Sequence, residues 1–424
     1  MATLRFFLPF CASLVLAPAA AAQTVCVQVK RTERAAVIGL DEQLQALRVG
    51  KGELQVRGPD AAPSACEVLF EVVWVEPAKD QKKGFAAAVV ASTDPARAQR
   101  WLGQALAGEG EFGAIGDVAA LPAASGDQQT PLHLRIEFVQ PKTGLSKARQ
   151  FRHVRKVVTA ALQDLGMLAA TRTGPSSPWP AGFPKGPTVG LYDAEGVGGS
   201  GCENIERVVD ATTLGHRILA VCPEDIRDGG LRGLAAVVFP GGSGGGIAKA
   251  LQPTGVAAVR EFVDGGGGYV GICAGAYLAG AGLKTYAALL PWQHTQPWAK
   301  GSATLELALT DAGKQVLGKE FASIKTRYNN GPVYPDVLSQ SKRAGARSKP
   351  IVLAEFASAA KDKKGVVHEA MVGTPAIVAD TFGKGRVMVI SPHPESHREL
   401  EVLVARAIGW TLDIAPAKVE AQPR

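Results

Sequence analysis

A thiol, an imidazole and a carboxylate in the C-terminal half of this chain have the types and surroundings that nucleophilic chemistry needs. Cys273 sits in Gly271-Ile272-Cys273-Ala274-Gly275, directly after an apolar run and before a helix-like stretch, so a sharp strand-to-helix turn with the sulfur at its tip is predicted. Glycines on both sides suit the tight backbone of such an elbow, and a helix N-terminus favours a thiolate. His393 and Glu395 lie in Ser391-Pro392-His393-Pro394-Glu395, where the imidazole can act as general base to a thiol and the carboxylate can fix its tautomer. Pro240 is followed by Gly241, Gly242, Ser243 and further glycines, a loop whose backbone N–H groups, with that of Ala274, can hold an oxyanion. This loop lacks the Lys-Ser/Thr ending of a phosphate-binding P-loop. Each piece alone has an ordinary alternative: G-x-C-x-G also fits a small buried cysteine, and His-x-Glu also fits a loop histidine beside a helix-capping carboxylate.

The elements that must position these groups follow from apolar periodicity. Strands are predicted at Thr188 to Tyr192, Arg217 to Val221, Leu234 to Phe239, Tyr269 to Ile272 and Arg386 to Ile390. Helices are predicted at Cys202 to Thr212, Gly255 to Asp264 and Glu399 to Leu412. Strands that are continuous apolar runs belong to sheets covered on both faces. The expected layout is therefore α/β: a flavodoxin-like or Rossmann-like, mostly parallel sheet with helices on both faces. In such sheets ligands bind beyond the carboxyl ends of the strands, which is where the glycine loop, the elbow and the His-Pro-Glu segment all fall.

The chain order of these pieces, a strand ending in Gly-Gly, a strand ending in G-x-C-x-G and a late strand ending in His-x-Glu, resembles the class I glutamine-amidotransferase-like superfamily. The resemblance covers most of residues 188 to 411. It implies that Cys273, His393 and Glu395 form a catalytic triad. Phe239-Pro-Gly-Gly, the run from Gly271 to Ala279 and Tyr328-Asn-Asn-Gly-Pro-Val333 look most like the domain found at the N-terminus of some biotin–protein ligases and alone in bacterial proteins. Biotin ligation is not implied, because no ligase domain follows. One position departs from the superfamily's glutaminases: where they carry a glutamine after the elbow, this chain has Tyr277. That argues against ammonia supply from glutamine and makes Tyr277 a candidate pocket residue, with a packed helix tyrosine as the alternative. Asn330, in a turn-rich segment, is a further candidate that could bring amide groups near the pocket.

A chain of 424 residues, 46% hydrophobic and 20% charged, is long enough for more than one core and ordinary in composition for a globular protein. Residues 1–22 read as a secretory signal: Arg5, an apolar run from Phe6 to Pro18, then small residues to Ala22 before Gln23. The expected organisation is a signal at 1–22, a small α+β unit at 23–170, a Pro/Gly-rich linker at 171–187, the α/β domain at 188–412 and a tail at 413–424. In the α+β unit, strands are predicted at Val68 to Val75 and Leu132 to Val139, and helices at Pro95 to Ala107 and Lys147 to Leu168. A cleaved signal implies a periplasmic or secreted protein with no membrane anchor, in which disulfides persist. Cysteine arithmetic then pairs Cys26 with Cys66 and Cys202 with Cys222, leaving Cys273 as an unpaired nucleophile. The net charge of +7 is densest at Lys142 to Lys156, without the aromatic interleaving or module of a nucleic-acid binder. No cofactor and no metal site is read from the sequence. The function expected is a cysteine-dependent hydrolase or acyl transferase acting on an amide in a small molecule or peptide. The alternative is a non-catalytic periplasmic binding or scaffold protein whose cysteine is vestigial or senses oxidants. Substrate and oligomeric state are not legible.

Overall fold

The computed structural model describes residues 23–30, 44, 47, 49–57, 66–75, 88–105, 118–121, 132–139, 147–168, 187–291, 302–321, 323–334, 350–361 and 364–423. The expected signal at 1–22, all but the last residue of the linker, and residues 142–146 of the basic stretch lie outside the described residues.

The described residues form two sheets. The first is built from β1 (Thr24–Lys30), β2 (Glu53–Arg57), β3 (Val68–Val75), β4 (Ala88–Ser92), β5 (Ala119–Ala120) and β6 (Leu132–Val139), in the order β2-β1-β3-β6-β4-β5. Alternate residues Val25, Val27, Phe70, Val72, Leu134 and Ile136 fall on one face, as the two-residue period of a strand requires. Helices α1 (Pro95–Ala105) and α2 (Lys147–Asp164) cover that face with Trp101, Leu102, Val154, Val158 and Ala161. The expected Cys26–Cys66 disulfide is formed, with Cα atoms 5.8 Å apart, and packs with Leu69 on the other face.

The second sheet contains β7 (Thr188–Tyr192), β8 (Arg217–Val221), β9 (Ala236–Phe239), β10 (Gly268–Ile272), β11 (Ser302–Leu309), β12 (Ser323–Asn329), β13 (Ile351–Phe356), β14 (Pro375–Phe382) and β15 (Gly385–Ile390). Its order is β12-β11-β13-β14-β15-β10-β9-β7-β8. From β8 to β15 every pairing is parallel; from β15 outward to β12 every pairing is antiparallel. The α/β class is as expected, and the sheet is mixed rather than mostly parallel. The antiparallel wing was legible only as weak alternation, since β11 and β12 bury Leu305, Leu307 and Leu309, and Ile324, Thr326 and Tyr328, at every second position.

Helices α3 (Gly201–Asp210), α4 (Pro223–Arg227), α5 (Gly244–Asp264), α6 (Ala274–Ala279), α7 (Asp311–Leu317) and α8 (Glu401–Thr411) flank this sheet. α3 and α8 pack into the apolar layer on one face; α4, α5 and α6 pack into the layer on the other. That division overturns the second expected disulfide. Cys202, on α3, belongs to one layer and Cys222, at the start of α4, to the other, so the sheet lies between them and no Cys202–Cys222 bridge forms. Instead the Cys202 thiol donates to the Tyr192 carbonyl at 3.6 Å, and Cys222 caps α4.

A desolvated ion pair links a helix of the first sheet to a helix of the second. Arg155 on α2 reaches both carboxylate oxygens of Asp225 on α4 at 2.9 Å, and both side chains are buried. Burial alone would raise the Asp225 pKa; the Arg155 charge, the Cys222 contacts and the paired hydrogen bonds outweigh it and hold the carboxyl below its ordinary value. A buried pair that loses one partner leaves an uncompensated charge, so Arg155→Met is expected to cost about 3–5 kcal/mol in urea unfolding at neutral pH. Because the folded-state pKa is depressed, the pair's contribution is present above the unfolded carboxyl value of about 4 and is lost as pH falls through the lower folded value. A loss under about 1 kcal/mol at neutral pH, the range of an exposed pair, would contradict a desolvated bridge.

Candidate functional site

β10 ends at Ile272 and α6 begins at Ala274, so the entire change of direction falls on Cys273, which adopts φ 49° and ψ −95°. A side chain in that region costs on the order of 1–3 kcal/mol and persists only where the surroundings over-determine it. The flanking glycines do the over-determining by close approach. A Cβ on Gly275 would collide with the Phe239 carbonyl, and one on Gly271 would lie 2.5 Å from the Gly275 carbonyl carbon. The Cys273 N–H donates to the Ile390 carbonyl at 2.8 Å, and the buried Tyr269 hydroxyl donates to Gly275 O at 2.7 Å. The elbow is therefore fastened to β15 on one side and β9 on the other.

β15 runs parallel to β10 with Ile390 beside Ile272, which delivers the segment from Ser391 onward next to Cys273. The His393 N–H donates to the Arg327 carbonyl of β12 at 2.7 Å. Its Nδ1 lies 2.8 Å from Glu395 Oε1, and Glu395 is almost wholly buried. The ring packs on Gly241, where a Cβ would come within 2.5 Å of Cε1, so this glycine makes room for the imidazole. Burial works against a charged imidazole here, but hydrogen bonds to the Cys273 sulfur and to Glu395, with their charges, raise the His393 pKa to about 10. Glu395 thus holds the His393 ring on the segment that follows β15, the strand paired with the one that ends at Cys273.

The other candidate residues divide. Ser243 is engaged in structure: its N–H donates to Gly196 O at 2.7 Å and its Oγ accepts from Gly246 N at 3.1 Å as the cap of α5. Gly242 has φ 145° and lies against Gly196 to Gly198, where a Cβ would collide with the Gly196 carbonyl. Gly241 and Ala274 remain at the mouth of the elbow. The Tyr277 hydroxyl donates to Asn330 O at 3.0 Å, and burial pushes its pKa well up, so the phenol stays neutral. Asn330 itself has φ 55° and turns its side-chain amide to Asn329 Oδ1 at 3.2 Å. What this segment presents to the elbow is carbonyl oxygen: Cys273 Sγ donates to Asn329 O at 3.5 Å.

Two residues that the sequence did not flag stand behind the site. Arg207 on α3 donates to the Glu395 carbonyl at 2.7 Å and to Glu401 Oε1 at 2.6 Å. Separations of 188 and 194 residues leave no local signal for either contact. Among the described residues no cluster of His, Cys, Asp and Glu could hold a metal ion.

Residues 227–286, which hold the glycine loop and the elbow, match the family model described as "Biotin-protein ligase, N terminal". The recognition drawn from Phe239-Pro-Gly-Gly and the Cys273 elbow is borne out by that match, which ends before His393 and Glu395. No curated protein matches the chain. Among solved structures it is similar to PurLQS from Thermotoga maritima, with 14% identity over 53% of this chain and 97% of that one and a TM-score of 0.37. It is also similar to a ThuA-like protein from Bacteroides uniformis, with 14% identity over 56% and 98% and a TM-score of 0.37. A β-galactosidase from Bacillus circulans is similar over 83% of this chain and 50% of its own, at 14% identity and a TM-score of 0.33. Scores this low carry no argument about chemistry.

The raised His393 pKa gives a testable sign. The folded protein holds a proton that the unfolded chain releases near pH 6.5, so this contribution to stability is full below about 6.5 and lost as pH rises through about 10. The unfolding free-energy difference between the wild type and His393→Asn should therefore narrow over that window. By NMR the His393 ring should titrate near 10; a midpoint near 6.5 would show that the sulfur and Glu395 do not hold the proton.

Proposed function

We propose that this protein is an exported, cysteine-dependent amide hydrolase or acyl transferase. The observation that carries this reading is Cys273 at positive φ on the strand-to-helix turn, with the segment that follows the paired strand β15 holding His393 and with Glu395 fixed to its Nδ1 at 2.8 Å. The proton of the Cys273–His393 pair rests on the imidazole, and Sγ forms a bond to the carbonyl carbon of a bound amide. N–H groups of Gly241, Gly242 or Ala274 hold the resulting oxyanion. His393 then gives its proton to the departing amine as the C–N bond breaks, and water or another acceptor releases the acyl group from sulfur. With Tyr277 in place of a glutamine and its hydroxyl on Asn330 O, the substrate pocket is shaped for an amide other than free glutamine, in a small molecule or a peptide.

Export rests on the N-terminal segment; the Cys26–Cys66 disulfide is compatible with it, and no described helix is long and apolar enough to cross a membrane. On this reading the mature chain begins at Gln23, a linker at 171–187 separates the two sheets, and nucleic acid is not a partner. A second reading, a binding or scaffold protein with a vestigial triad, is favoured by the sulfur itself. Cys273 is 5% exposed and its thiol is directed to Asn329 O.

The test is hydrolysis of a panel of peptide and γ-glutamyl p-nitroanilides by the full-length mature protein. Turnover is expected for the wild type and a loss of about 10⁴-fold in kcat/KM for Cys273→Ala. Turnover that survives in Cys273→Ala would overturn the mechanism. Failure of iodoacetamide to label Cys273 in the folded wild type would favour the binding reading.

A further inference from the structure

We infer that Arg207 and Glu401 form a self-neutralised clamp that positions Glu395, and through it His393, without competing for the Glu395 carboxylate. This rests on the triad reading above and concerns its support. Arg207 leaves α3 and makes three hydrogen bonds. Nη2 donates to the Glu395 backbone carbonyl at 2.7 Å, Nε to Glu401 Oε1 at 2.6 Å and Nη1 to Asn204 Oδ1 at 2.6 Å. The first fixes the short turn Pro394–Ser396 that carries the carboxylate; the other two fix the guanidinium. Glu401 opens α8 and is itself buried, so the pair is held between two helices.

The point of the arrangement is what Arg207 does not touch. Glu395 Oε1 is bonded to His393, while Oε2 is buried and has no hydrogen-bond partner among the described residues. A bare guanidinium beside an orphaned buried carboxylate oxygen would be drawn to it, because charge-assisted bidentate pairing is the strong form of this contact. Glu395 would then be shared between two cations, and its support of a protonated His393 would weaken. Glu401 supplies the counter-charge that leaves Arg207 on the carbonyl instead. The ionisable groups around His393 are Cys273 from the elbow and Glu395 on its own turn. Arg327 lies across the β12 bridge, the His397 ring accepts from the Arg327 N–H, and Arg207 and Glu401 stand behind. Of these, only the last two can change the hold on Glu395 without altering the triad.

The measurement is the NMR titration of the His393 ring in full-length protein, with the pH profile of Cys273 alkylation by iodoacetamide beside it. In Glu401→Gln the released Arg207 should turn to Glu395, and the His393 midpoint should fall by about one unit or more from about 10. Arg207→Met, which frees the turn, should lower it too. The double variant should shift it no further than the larger single one, because the two residues act as a unit. Glu401→Asp should restore part of the shift. A residue that only props two helices together would lower Tm in these variants and leave the midpoint where it is. A folded Glu401→Gln protein with an unchanged midpoint overturns the clamp. Since neither readout needs turnover, a wild type that hydrolyses nothing would refute the proposed activity and leave the clamp standing if the midpoint moves.

Discussion

The parallel pairing of β10 with β15 is the constraint on which the site depends. It sets Ile272 beside Ile390 at the middle of the sheet, so Cys273 and the Ser391–His393 segment leave the sheet at the same edge. The Cys273 N–H bonded to the Ile390 carbonyl is the last rung of that ladder, so the backbone of Cys273 is anchored to the strand that leads to His393. Between the two strands the chain makes the antiparallel wing β11 to β14 and returns. β12 then supplies the Arg327 carbonyl that receives the His393 N–H and the Asn329 carbonyl that faces the sulfur. The wing is thus the third wall of the site as well as an extension of the sheet.

Strain and packing explain why the motif has the residues it has. Only Cys273 adopts the left-handed region at the elbow; Gly271 and Gly275 are needed because backbone atoms and the Phe239 Cβ leave no room for a side chain. Gly241 performs a third task, giving way to the His393 ring. Glycines that look alike in sequence serve different contacts, and the common cause is that three segments converge on a space too small for side chains.

Legibility followed the range of the contacts. Strands β7 to β10 and β15 were readable because burial on both faces makes each a continuous apolar run. The elbow was readable because its chemistry is local. Cys26 and Cys66 were pairable because they fall in one unit with no competing partner. Cys202 and Cys222 misled because position at a strand end says nothing about which face a side chain takes, and here the sheet separates them. Ser243 sits in a glycine run as a candidate oxyanion donor, and its N–H, bonded to the Gly196 carbonyl in the fold, is engaged in a contact the sequence does not show. Arg207, Glu401 and the Arg155–Asp225 bridge were invisible because each joins elements far apart in the chain.

The distribution of charge has a common logic. At the Arg155–Asp225 bridge, a buried cation and anion satisfy each other and hold two cores together. Around His393, a sulfur and a carboxylate raise the pKa of the imidazole, and the Arg207 guanidinium has Glu401 as its counter-charge. In both places the low-dielectric interior makes an unbalanced charge costly, and in both the balance is bidentate or three-way. The difference lies in what remains unsatisfied. Asp225 accepts from both Arg155 and the Cys222 N–H, whereas Glu395 keeps one oxygen bare.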